Sequence, residues 1–572
     1  MDTRSDGIER VTRASAGWKV VTATAVVAAL ALLAAGCGGG DSASDTTQPP
    51  GTFKANEVAT DVGPPQSGGT LSFGLNAETD GWDPTSNRWA SSGYIVGYSI
   101  FDPLAVFGDD LKAHPYLAKS FTSNADFTEW VIGVREGVTF HDGTPVDAAA
   151  IQAGLVKQKA SPLTGATMDF VESFDVAPDG TSVIVKMNKP WSTFPEILTA
   201  QAGVVSAPSM QANPNGNKEP VGSGPFIFDS WEQGSELRVK KNPNYWRTGY
   251  PYLDQIDFKV VSDIPARGTS LDSGGIDIFE TNDPRQIIEF TERAQNGDDV
   301  QIFTDQDGEG AKIFVAFNLA KPPFDDILAR QAVAYATDTK VLSDQAYEGI
   351  FPPVYGVFSE NSPYYVKPDN YPTYDPEKAR QLAQEYEAKY GKPLEFSTNI
   401  TGQPEVQLVA QVLQAQLKEV GITVNLVTQE QLTLITNALT GNYESTGFIL
   451  FGSPSLDREY VFFASPTKPI PQLNLNITRI PNEQNQPIVD AMDAARATDD
   501  EEVRKEQYAI VQQEMARNLN FGFLVMQTSA VVFNADVHGA LEWPMPDEEG
   551  GDDGGQGFPT TVTMTFNLWK SS

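Results

Sequence analysis

The 572-residue sequence has one cysteine, Cys37, and three histidines. A single thiol can form no intrachain disulfide and no Cys-based structural metal site. Three histidines are too few to suggest a histidine metal site, and Cys37 closes an export segment, so thiol catalysis is excluded as well. Positive charge is also scarce. Against 75 Asp+Glu stand 40 Lys+Arg, a formal net charge of -35, and such a surface repels a phosphate backbone. Nucleic acid is therefore excluded as a partner, and the acidity reads as a soluble surface. No G-x-S-x-G elbow, H-E-x-x-H helix, G-x-x-x-x-G-K-[ST] loop or dinucleotide fingerprint occurs. Paired carboxylates discriminate nothing among so many acids. Long apolar runs are missing too: residues 20–35 fall short of the ~20 needed to span a bilayer and include Thr22 and Thr24.

What is present begins with an export signal. Arg4, Arg10, Arg13 and Lys19 precede the apolar run, which ends in small residues before Cys37. The segment LLAAGC at 32–37 resembles a bacterial lipobox, although Ala34 stands where leucine is commoner. That resemblance implies removal of residues 1–36 and lipidation of Cys37, which tethers the protein to the membrane. Residues 37–66, rich in Gly, Ser, Thr, Pro and Asp, read as a flexible tether.

The most informative stretch is VGSGPFIFDSWEQGSELRVKKNPNYW at 221–246. Phe226 to Phe228 and Leu237 to Val239 alternate as half-buried strands, Gly234-Ser235 supplies the turn, and Gly222 and Gly224 give permissive backbone before Pro225. GSGPF, a hairpin and then KNPNYW resemble the extracytoplasmic solute-binding proteins of ABC importers, in the peptide and nickel-binding family. The same order continues in Trp82-Asp-Pro84, Phe101-Asp-Pro-Leu104, GVTFHDGTP at 137–145, YLDQI at 252–256, LDSGGID at 271–277, Phe317-Asn318, PFDD at 323–326 and RQAVA at 330–334. His141 is expected only to serve its turn.

The resemblance implies an α/β, two-lobe periplasmic-binding-protein-like fold with an extra domain inserted in lobe one. Lobe one is expected at 67–107, 202–312 and 526–572, the insert at 108–201 and lobe two at 313–525, with crossings near Ile313 to Phe317 and Phe521 to Val525. Local signals agree with α/β grammar: Asp375-Pro376 starts a helix that Gly391 stops, and Val406, Val409, Leu413, Leu417 and Val420 share a face before Gly421 and a strand. The acidic run at 547–555 lacks calcium-loop spacing and reads as solvated. Residues 562–569 alternate as a final strand.

No catalytic residue, metal or cofactor is expected. The ligand is expected between Asn87, Arg88 and Trp89 of lobe one and Gln431, Phe451, Gly452, Ser453, Ser455 and Asp457 of lobe two. In peptide-binding members an acid of the second loop pairs with the amino terminus. Here Ser453, Pro454 and Ser455 occupy that window, and Asp457 corresponds to a later, structural acid. An uncharged or weakly polar solute, such as a peptide without a free amine, follows from that absence. The expected protein is a monomeric, lipid-anchored receptor passing its solute to ABC permease subunits. A surface signalling receptor of the same fold and a hydrolase are the competing readings.

Overall fold

The computed structural model describes residues 63–305, 309–369, 371–450, 452–558 and 562–571. The Cys37 and signal-segment expectations lie outside them, as does Phe451. Two sheets organise the chain. The larger, of seven strands, runs in the order Val300–Thr304, Ala530–Asn534, Ile278–Thr281, Thr70–Leu75, Gln255–Val260, Glu236–Lys241 and Phe226–Glu232. Its centre is parallel: Leu71 lies beside Ile256 and Phe73 beside Phe258, and all four are buried. The second, of five strands, runs Thr423–Gln429, Glu395–Thr401, Ser445–Leu450, Lys312–Phe317, Phe521–Met526. A four-stranded antiparallel sheet, Ala118–Ser123, Glu129–Val134, Ser182–Met187 and Val171–Val176, forms the insert.

Lobe two shows why its helices form where they do. Asp375 caps the Pro376–Tyr390 helix by accepting from the Lys378 N–H, and Gly391 ends it at φ 71°. Such a cap contributes about 1 kcal/mol. The Pro404–Glu419 helix puts Leu417, with Val420 just beyond it, into the core beside Phe396, Ile422 and Val424. Helix, turn and strand thus share one apolar layer.

The motif residues of lobe one converge on a single carboxylate. Asp102, buried, accepts from Ser223 Oγ at 3.0 Å, Tyr245 Oη at 2.9 Å and Trp246 Nε1 at 3.0 Å. Burial pushes its carboxyl up to about 6 even so. GSGPF, FDPL and KNPNYW are therefore parts of one buried polar joint. Gly222 and Gly224 serve it by close approach: a Cβ at either would meet the Ile100 carbonyl group, at 2.1 Å from its oxygen and 2.6 Å from its carbon respectively. Gly234 does turn the hairpin, at φ +80°. His141 stays in its turn, its Nε2 3.0 Å from the Gly224 carbonyl oxygen.

Two crossings join the large sheets. Val300–Thr304 leads to Lys312–Phe317, and Phe521–Met526 returns to Ala530–Asn534. They run side by side: Gln527 N–H donates to the Ala311 carbonyl at 2.7 Å, and Asp305 and Ser529 exchange bonds of 3.1 and 2.6 Å. Beyond the second crossing the expected final strand is absent. Residues 565–567 are a short 3-10 turn, and only Trp569–Lys570 pair, with Val537–His538. The alternation there comes from Phe566 and Trp569 packing, Phe566 against Tyr250 at 4.9 Å. The acidic run is not simply solvated either. Asp552 accepts from Arg247, whose side chain is fully buried, and from Tyr250 Oη.

Candidate ligand-binding cleft

A cavity of about 1700 Å³ lies between the two lobes, beside the crossings. Small-molecule pockets usually hold about 300–1,000 Å³, so this one accommodates a solute larger than a single amino acid. Its walls are mostly apolar and carry aromatic rings from both lobes. Tyr94 and Tyr98 come from the Ser91–Ile100 helix of lobe one, and Phe314, Phe448 and Phe523 from lobe two. The rings reinforce one another, with Tyr94 and Tyr98 at 5.5 Å and Phe314 and Phe523 at 5.8 Å. Each such pair contributes about 0.5–1.5 kcal/mol beyond burial.

The sequence-derived ligand residues divide. Arg88, Gln431 and Gly452 line the cavity, and Trp89 borders it. Yet Trp89 is only 2% exposed. Its ring lies across Gly93 and Gly97, where added Cβ atoms would meet it at 2.9 and 2.7 Å. It also packs against Trp82, Tyr94 and Phe101. Trp89 is thus core that shapes the wall, not a ring offered to a ligand. Asn87 is withdrawn as well: its Nδ2 donates to Asp80 at 2.8 Å and its carbonyl accepts from Gln201.

The lobe-two loop turns away at three of the expected positions. Ser453 is buried, and its hydroxyl has no partner among the described residues. Ser455 Oγ donates to Glu196, which belongs to the Phe194–Ile197 turn after the insert sheet. Asp457 is buried beneath the loop, where Arg496 pairs with it and Trp191 Nε1 donates to it at 2.8 Å. None of these three faces the cavity. The pull of the insert explains Ser455 and Asp457, because Glu196 and Trp191 supply the polar partners that a ligand was expected to supply.

Sequence reasoning missed the two residues that follow. Arg458 and Glu459 line the cavity. Glu459 is nine-tenths buried and its Oε2 has no hydrogen-bond partner among the described residues. Burial pushes its carboxyl up to about 7, against the pull of Arg458 and Lys312 and with the push of Asp457. Lys312 is already engaged by Glu309, which also accepts from Ser359 Oγ at 2.9 Å. Arg458 and Arg88 have no ion-pair partner among the described residues. The premise that this loop gives the cleft no acid therefore fails at Glu459. The only available signal was its position two residues after the structural Asp457.

Two lobes, paired crossings and an aromatic cavity between them define a bilobed solute-binding protein. The chain belongs to the bacterial extracellular solute-binding proteins, family 5: the model of the "family 5 Middle" region matches residues 112–464. Among curated relatives, the glutathione-binding protein GsiB of Escherichia coli (strain K12) is 30% identical over 336 residues, 57% of this chain and 63% of that protein. The matched region thus spans less than two thirds of these relatives. Among solved structures, AgaA from A. tumefacien R10, in complex with agropinic acid, has a TM-score of 0.73 at 25% identity and covers 88% of this chain and 99% of its own. The oligopeptide-binding protein AppA from Bacillus subtilis, in complex with a nonapeptide, has a TM-score of 0.72 at 20% identity, covering 89% and 100%. These relatives are solute-binding proteins of the extracytoplasmic space, not enzymes. Among the described residues no helix is long and apolar enough to cross a membrane.

Proposed function

We propose that this protein is the membrane-tethered receptor of an ABC importer, capturing a peptide or related amino-acid-derived solute between its lobes and delivering it to permease subunits. The observation that carries this reading is the 1700 Å³ cavity at the paired crossings, in a chain of family 5. Closure about two adjacent strands would bury the solute against the aromatic walls. The relatives named for glutathione and agropinic acid support an amino-acid-derived ligand. Lipidation of Cys37, supported by the LLAAGC segment, would hold the receptor near its permease. More than one acyl chain, at about 0.8 kcal/mol per buried CH₂, is needed for stable attachment.

Two measurements test the reading. Mass spectrometry of small molecules released on denaturing the purified protein should find a peptide or amino-acid derivative at near-stoichiometric yield. Retention of no such compound, together with no binding from peptide pools, would sink it. Membrane fractionation of Cys37→Ala should move the protein to the soluble fraction, and unchanged membrane retention would refute the lipid tether.

A further inference from the structure

We propose that the seam between the insert and lobe two is a latch that holds the cleft closed through protein contacts alone, independently of any solute. Mechanically the insert belongs to lobe one. The chain enters it after Thr70–Leu75 and leaves it for Phe226–Glu232, both strands of the seven-stranded sheet. Its body is fastened on that side by Ser161 Oγ donating to the Thr85 carbonyl at 2.7 Å, by the His141 N–H donating to the Gly222 carbonyl at 2.8 Å, and by Gln201 Nε2 donating to the Pro84 carbonyl at 2.7 Å. Lobe two meets another part of the insert. Opening about the paired crossings therefore leaves the lobe-one fastenings intact and must part the seam.

The seam is built around Trp191. Its Nε1 donates to Asp457 at 2.8 Å, and its ring lies 4.2 Å from the Arg496 guanidinium. Phe170 of the insert approaches the same guanidinium at 4.8 Å and Tyr460 of lobe two at 3.8 Å. Arg496 is thus held between rings of both bodies. Beside Trp191, the Ser192 N–H donates across the seam to the Arg496 carbonyl at 2.6 Å, and Lys189 pairs with Asp493 at 2.8 Å. Trp191 is fully buried and Phe170 nearly so. Parting the seam exposes both rings to water and breaks the bond between the indole N–H and a buried carboxylate. Phe170, Lys189, Trp191, Asp457, Asp493 and Arg496 all lie outside the cavity wall. The contacts that favour closure are therefore separate from those that recognise a solute, and solute entry waits on the seam.

Native-state hydrogen exchange of the purified full-length protein reads the latch, because the Ser192 amide exchanges when its bond to Arg496 opens. Retained small molecules are first removed by dialysis against urea below the unfolding transition. In the stripped protein the Ser192 amide should be protected relative to the unfolded chain. Trp191→Phe keeps a ring and removes only the indole donor; it should speed Ser192 exchange roughly 10- to 100-fold, the range for a lost bond to a charged acceptor. The Phe73 and Phe258 amides, at the centre of the lobe-one sheet, should keep their rates. A second arm separates lobe opening from fraying of the segment. Lys112 and Glu501 form an exposed pair at 2.7 Å that also joins the two bodies. In the Cys37→Ala form, Lys112→Cys and Glu501→Cys joined by a short bismaleimide should slow Ser192 exchange and abolish the effect of Trp191→Phe. An unprotected Ser192 amide, equal exchange in parent and Trp191→Phe, equal acceleration at Phe73 and Phe258, or indifference to the crosslink overturns the latch. Each readout is made without a solute, so such a failure leaves the receptor reading intact.

Discussion

Replacing Asp457 by alanine should destabilise the protein by about 3 kcal/mol. The side chain is wholly buried, and its partner Arg496 nearly so. Removing one member of a buried pair typically costs about 3–5 kcal/mol, because the other charge is left without compensation. Two features set where in that range the loss falls. The Trp191 N–H also loses its acceptor, which adds about 1 kcal/mol or more. Against that, the Arg496 guanidinium keeps its position 3.8 Å from the centre of the Tyr460 ring and 4.2 Å from that of Trp191, contacts of about 1–2 kcal/mol when desolvated. Urea unfolding followed by tryptophan fluorescence reads the loss directly. The double change Asp457→Leu with Arg496→Met should cost less than Asp457→Ala alone, since no charge remains unpaired. A stability change under about 0.5 kcal/mol for Asp457→Ala, accompanied by lost solute binding, would refute the argument and return Asp457 to the ligand site.

Two further predictions follow from the same packing. Gly97→Ala should lower stability by about 1–3 kcal/mol, because its Cβ would lie 2.7 Å from the Trp89 ring; a melting temperature equal to that of the parent would show that the ring is free to move. Burial first, and then the charge of Asp457, hold the Glu196 carboxyl above the ordinary glutamate value of 4.5, with Glu459 adding and Ser455 and Arg504 opposing. A carboxyl with a raised folded pKa contributes its stability fully below the unfolded value and loses it as pH rises through the folded one. The melting temperature of the parent should therefore fall more steeply from about pH 5 to about pH 9 than that of Glu196→Gln, and parallel curves would contradict the assignment.

Much of the fold was legible because its signals are local. Asp375-Pro376 and Gly391 bracket a helix by capping and φ alone, and the hairpin around Gly234 needs only alternation and one turn residue. The terminal segment was misread for the opposite reason. Its alternating apolar residues satisfy contacts made at long range, Phe566 with Tyr250 and Tyr116, and a period of two does not distinguish a strand from a loop whose side chains lodge in pre-existing gaps. The acidic run misled likewise, since Asp552 gains its meaning from Arg247 and Tyr250, about 300 positions earlier.

The cleft was harder to read because a sequence does not show what has already been satisfied. Ser455, Asp457 and Glu459 alternate along one loop and look equally available. The insert decides among them. Its neighbouring segment brings Trp191 and Glu196 to the first two, and Arg496 completes the claim on Asp457. Glu459 is left facing the cavity with an unused oxygen. Which acids of this loop remain at the cleft wall follows from the internal pairing and not from the count of acids in the loop.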